Sequence, residues 1–247
     1  MNNHFFIIGA QRCGTTLLTK ILDSHEQICM AKPLRPEPKF FLKPIEKFNY
    51  IDYFEKFFDI RGKYSAYGEK STSYIESKIA PEQINKYLPN AKLILILRDP
   101  VKRAISNYFF SKNNKIENLD FETALKNENI RKNLINYEVS VSPFAYFNRG
   151  IYINYIETWI NYFDRKKILI IIFEELINKK NVDYIYDFLE VDVPKKKIDF
   201  SKENESFRLD IEISNKTIQE LTKKYHSYNI ALANKFNLEV SYWLGMK

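Results

Sequence analysis

The sequence predicts an α/β fold of three layers, with a central, mainly parallel sheet flanked by helices. Three observations carry this expectation. Apolar runs at residues 5–8, 92–97 and 168–173 are short and continuous, as strands buried on both faces are. The first two lead directly into stretches read as helices, 15–22 and about 100–110, and the third is followed by another at 183–189. Such alternation builds parallel sheets, in which ligands bind beyond the C-terminal ends of the strands.

The bulk properties agree with a single domain over residues 1–247, a length that suits one large α/β unit. With 19 Phe and 17 Tyr the core is expected to be large and partly aromatic. The formal charge of +7 suits an anionic partner, although a Lys-rich composition alone produces the same balance. Two cysteines, Cys13 and Cys29, lack the spacing of a zinc site or a disulfide framework. No stretch reaches 18 consecutive apolar residues, and residues 1–11 run into a strand without a signal-peptide pattern, so the expected location is cytoplasmic.

The elements follow in order. After the strand at 5–8 and the helix at 15–22, residues 32–44 contain Pro33, Pro36, Pro38 and Pro44 and must form an extended loop. Residues 52–58 read as a short helix and 67–71 as a short strand. Residues 81–88 read as a helix with proline in its first turn. The run KLILIL at 92–97 is the clearest buried strand. Helices are expected near 120–138 and, amphipathic, at 151–163.

The first strand turn, Gly9-Ala10-Gln11-Arg12-Cys13-Gly14-Thr15-Thr16, has the G-x-x-x-x-G spacing of a phosphate-cradling loop. A tight turn presents successive N–H groups, the following helix adds its partial positive end, and two threonines add hydroxyls. A nucleotidase loop carries Lys after the second glycine. Here that position is Thr15, and the cation lies inside the loop at Arg12. This set suits a 5′-phosphate bearing a second anionic group better than a magnesium triphosphate. In the second strand turn, LILILRDPVKRAIS, Arg98 ends the strand and Ser106 lies about two helical turns further on. An Arg fork with a hydroxyl suits a phosphate monoester. Asp99 precedes Pro100, which makes it a helix cap rather than a magnesium ligand.

GAQRCGTTLL and LRDPVKRAISNY together resemble the 5′-phosphosulfate loop and the 3′-phosphate segment of the PAPS-dependent sulfotransferases, where PAPS is 3′-phosphoadenosine 5′-phosphosulfate. Residues 35–41 (RPEPKFF) are similar to the K-E-P-H-F-F stretch of the glycan and bacterial members. Residues 68–74 (GEKSTSY) are similar to G-E-K-[ST]-P-x-Y. NRGIY at 148–152, FEEL at 173–176, DFL at 187–189 and the Y…N…L…W pattern over 225–243 extend the likeness over about residues 5–243.

The resemblance implies a P-loop NTPase-like fold and sulfuryl transfer from PAPS to an acceptor hydroxyl, on a carbohydrate or polysaccharide, without a metal. It implies that Arg12, Cys13, Gly14, Thr15 and Thr16 hold the 5′-phosphosulfate end and Arg98 and Ser106 the 3′-phosphate. Glu37 becomes the candidate general base. Arg12, which stands where the family usually has Lys, becomes the cation at the leaving phosphate. Lys70 and Lys39 are candidate cations near the transferring group, and Lys39 and Arg149 candidate acceptor contacts. His4, His25 and His226 fall in no site-like context. Two other readings compete. A P-loop kinase or other nucleotide phosphotransferase needs a Lys after Gly14 and a magnesium carboxylate. A non-catalytic module that binds nucleic acid or an anionic polymer through its basic surface is the other, but the basic residues are scattered, with no interleaved aromatic motif.

Overall fold

The computed structural model describes residues 3–131, 142–179, 181–195, 200 and 212–245. Their strands are β1 (Asn3–Gly9), β2 (Ile28–Met30), β3 (Ala66–Lys70), β4 (Lys92–Leu97) and β5 (Ile168–Ile172). Their α-helices are α1 (Thr15–Asp23), α2 (Tyr50–Phe57), α3 (Ala80–Tyr87), α4 (Pro100–Asn113), α5 (Phe121–Lys126), α6 (Glu128–Arg131), α7 (Tyr152–Ile160), α8 (Phe173–Lys179), α9 (Asp183–Leu189) and α10 (Asn215–Phe236). The chain folds as two compact units, Met1–Leu97 with Glu157–Glu203, and Arg98–Ile156 with Asn204–Lys247.

The first unit holds one sheet of order β2-β3-β1-β4-β5, every pairing parallel, flanked by helices as expected. The five apolar residues of β4, Leu93 to Leu97, and their neighbours in β1 are almost wholly withdrawn from water, which explains their uninterrupted hydrophobicity. One side of β1 and β3 meets an aromatic cluster. Phe6 lies edge-on to Phe41, and Tyr53 of α2 packs against Phe40, Phe41 and Phe48. The proline-rich loop thus delivers aromatic residues to the core. Its Lys32–Pro33 and Arg35–Pro36 peptide bonds are cis.

His4 sits in the same cluster, its Nε2 2.8 Å from the Tyr50 hydroxyl. Burial pushes its imidazole down to about 4. The unfolded His takes up a proton near pH 6.5, whereas the folded one stays neutral, so stability should fall as pH drops from about 6.5 to about 4 and then level. Its share of that loss is up to about 3 kcal/mol. Urea unfolding at pH 6.5 and 4.5 should show a smaller pH dependence in His4→Phe than in the wild type.

The second unit has its own core, formed by Val101, Ala104, Tyr108 and Phe109 of α4, Phe121 and Ala124 of α5, and Tyr225 of α10 among others. Two buried polar side chains in this unit pair with backbone groups. Glu128 accepts from the Phe147 and Asn148 amides at 2.6 and 2.8 Å, and Arg103 donates to the Tyr146 carbonyl.

Several elements differ from expectation. The three residues of β2 are too few to show a period, so no strand is expected there from sequence. The 22-residue α10 lay in a region read only as a Y…N…L…W pattern, although Leu221, Tyr225, Leu232 and Phe236 form a stripe at helical spacing. The amphipathic helix expected at 151–163 stops at Ile160, where a turn brings the Phe163 amide back to the Trp159 carbonyl at 3.0 Å. Phe173 opens α8 instead of closing β5. Of the helix expected near 120–138, α5 and α6 account for residues up to 131, and the remainder lies outside the described residues.

Candidate active site

The loop between β1 and α1 has the shape its glycines predict. Its first residue, Ala10, donates its amide to the Ile96 carbonyl of β4 at 2.9 Å. Arg12 and Gly14 both have positive φ, 68° and 88°. Gly14 is the N-cap of α1 and carries no side chain to cap that terminus, which leaves the helix end suited to an anion. A Cβ on Gly14 would stand 2.3 Å from the Phe173 ring, so only glycine fits between the loop and the start of α8. Cys13 and Thr15 are buried, while Arg12 and Thr16 are half-buried. An Arg, two Thr hydroxyls and an uncapped helix N-terminus form a donor set that fits a phosphosulfate.

The end of β3 supplies the second element. Lys70 is its last residue and is 5% exposed. Its Nζ lies 3.5 Å from Oε1 of Glu37, which is 15% exposed. Thr72 donates its amide to Glu37 Oε2 at 2.9 Å and its hydroxyl to the same carboxylate at 3.0 Å. A carboxylate between a cation and two donors is held in one orientation. This cluster is tied to the anion loop on two sides. Gln11 donates to Ser73 Oγ at 3.2 Å, and Arg35, two residues before Glu37, reaches Thr16 Oγ1 at 3.5 Å. Ile75, just beyond, packs so close to Gly9 that a Cβ there would lie 2.7 Å from its Cγ2. Lys39 is half-buried with positive φ (51°), and its amide donates to Ser71 Oγ at 2.9 Å.

In the second unit, Arg98 and Ser106 are both half-buried. The Arg98 carbonyl accepts from the Tyr152 hydroxyl at 2.8 Å, which fixes the backbone at the point where α4 begins. Asp99 caps α4, accepting from the Val101 and Lys102 amides at 2.9 and 3.4 Å. Arg149 is 1% exposed, and its guanidinium donates to Asn107 Oδ1 and the Ser142 carbonyl at 3.4 and 3.0 Å. Arg149 is thereby held by protein groups of its own unit.

The sulfotransferase domain family matches residues 2–228. The chain belongs to that family. Its relatives include a bifunctional heparan sulfate N-deacetylase/N-sulfotransferase 1 of Xenopus tropicalis, 33% identical over 177 residues that make up 67% of this chain and 19% of that protein. A heparan sulfate glucosamine 3-O-sulfotransferase 3B1 of Homo sapiens is 29% identical over 187 residues, 74% of this chain and 45% of that protein. The chain therefore spans less than half the length of these curated relatives. A crystal structure of a sulfotransferase from Alicyclobacillus acidocaldarius superposes with a TM-score of 0.82 at 24% identity, covering 98% of this chain and 99% of that one, and so shares its fold.

The loop carries Thr15 where a nucleotidase has Lys, and Asp99 serves as a cap. Both features count against the kinase reading. The structure also adds residues to this candidate site that the sequence does not single out. Thr72 orients Glu37. Glu69, buried beneath them, accepts from the hydroxyls of Tyr53, Ser71 and Tyr74 at 2.7, 2.7 and 2.6 Å. Burial pushes the Glu69 carboxyl above the usual range, against the opposing pull of those three donors. No signal local to Glu69 could have found this role, because Tyr53 and the loop served by Ser71 and Tyr74 lie far away in sequence.

Proposed function

We propose that the protein transfers a sulfuryl group from PAPS to a hydroxyl of a carbohydrate acceptor, with Glu37 as general base. The observation that carries this reading is the Glu37 carboxylate held by Lys70 and Thr72 in a cluster bonded to the anion loop. The donor supplies the sulfuryl group: the acceptor oxygen bonds to sulfur as the bond from sulfur to the 5′-phosphate oxygen breaks. Glu37 takes the hydroxyl proton. Arg12, Thr15, Thr16 and the α1 N-terminus face the charge that returns to the 5′-phosphate. Lys70 keeps a positive charge beside Glu37 and the transferring group. Lys39 has a half-buried place two residues further along the same loop, a position from which it serves an acidic acceptor. Arg98 and Ser106 are assigned the 3′-phosphate. The glycan acceptor is supported by the E-P-x-F-F stretch at 37–41 and by the heparan sulfate enzymes among the relatives.

Calorimetric titration with 3′-phosphoadenosine 5′-phosphate, without metal, tests the donor. We expect binding that weakens at least about tenfold in Arg98→Ala/Ser106→Ala, since charge-assisted bonds are the strong ones, and little binding of AMP. Tighter binding of ATP with magnesium than of the bisphosphate would overturn the proposal.

A further inference from the structure

Glu69 is 1% exposed and has a hydrogen-bond arrangement whose direction is fixed at each step. The Lys39 amide donates to Ser71 Oγ and the Phe41 amide donates to Tyr74 Oη, both at 2.9 Å. Each hydroxyl has one proton. With an amide on its acceptor side, each directs that proton to Glu69 Oε1, at 2.7 Å from Ser71 and 2.6 Å from Tyr74. Tyr53 of α2 donates to the other oxygen. Two alternate amides of the proline-rich loop, two and four residues after Glu37, are therefore each one hydroxyl away from a single buried carboxylate. An apolar core residue would avoid the cost of burying a charge, but it would leave three hydroxyl protons without acceptors and the two loop amides without oriented partners.

We infer that Glu69 is a positioning residue for Glu37, tethering the 37–41 loop through Ser71 and Tyr74; this rests on Glu37 being the base. The alternation of β3 turns Glu69 to the face opposite Lys70. One strand end thus holds Glu37 by two routes, directly through Lys70 and indirectly through the Glu69 relay. The relay fixes the backbone from which Glu37 extends, so its loss should reduce turnover while leaving donor binding at the 9–16 loop intact.

The test compares Glu69→Ala, Glu69→Gln and Glu37→Gln by amide hydrogen exchange and by steady-state kinetics. Turnover is read as release of 3′-phosphoadenosine 5′-phosphate from PAPS, with desulfated heparan sulfate as probe acceptor. In Glu69→Ala the Lys39, Phe41 and Thr72 amides should exchange about tenfold faster or more while β4 amides keep their protection, the pattern of a local opening. Its kcat should fall about tenfold or more, with the KM for PAPS within about twofold of wild type. Glu69→Gln keeps an acceptor oxygen for Ser71 and Tyr74 and should recover most of both. Uniform acceleration that includes β4, or unchanged exchange at the three amides, overturns the tether. If Glu37→Gln is inactive but Glu69→Ala turns over at the wild-type kcat, only the positioning role falls. If Glu37→Gln is fully active, the base reading falls and takes the positioning role with it. A wild-type chain inactive on the probe counts against the glycan acceptor, and the exchange pattern then decides the tether alone.

Discussion

Glu37→Gln should bind 3′-phosphoadenosine 5′-phosphate as the wild type does and transfer sulfuryl groups about 10²–10⁴-fold more slowly, the usual worth of a positioned base. The amide keeps one oxygen to accept from Thr72, so the loop geometry should survive. What disappears is the ability to take a proton and the ion pair with Lys70. Because the side chain is isosteric, a loss confined to kcat would mark a group that acts in the transition state. Calorimetry alongside initial rates checks both halves. A parallel loss of nucleotide affinity would mean that Glu37 shapes the donor site instead.

Arg12→Ala should lower kcat about 10²–10³-fold, the range for removing one donor aimed at developing charge, and Arg12→Lys should restore part of it. The restoration is expected to be incomplete, because a point charge replaces a planar fork. The backbone gives a second measurement. Arg12 has φ 68°, a region that L residues other than Asn and Asp seldom occupy. Arg12→Gly removes both the cation and that conformational strain, so it should be as inactive as Arg12→Ala yet more stable than it, by about 1 kcal/mol. Activity assays and thermal unfolding on the three variants separate charge from strain. Equal stability of the Gly and Ala variants would show that the loop relaxes around residue 12.

These two residues also show how much of the site is legible in the sequence. Arg12 and Gly14 lie in one uninterrupted motif after an apolar run, and Asp99 stands next to Pro100. Such local patterns are readable because neighbours in sequence set them. The strands β1, β4 and β5 and the helix α9 were legible for the same reason. Glu37 was visible only as a motif position. Its hold depends on Thr72, 35 residues away, and nothing near Glu37 announces that partner. Glu69 does not stand out in the GEK run, since a carboxylate in a strand reads as surface until Tyr53, Ser71 and Tyr74 converge on it. Arg149 stands before a glycine turn in the sequence, and its burial among the groups of its own unit is set by residues that its local motif does not contain.

The anion loop has a further consequence through the way it is built. Its amide at Ala10 is bonded to Ile96, its Gln11 to Ser73, and its Gly14 lies against Phe173, so three distant stretches of chain must be in place before the loop takes its shape. An unfolded or half-assembled chain has no such loop to offer. A nucleotide that binds there binds only the completed fold, and mass action then adds about 2.7 kcal/mol to stability when its free concentration is a hundred times Kd. Donor supply would in this way set how long each copy of the protein resists proteolysis, as well as how fast it works.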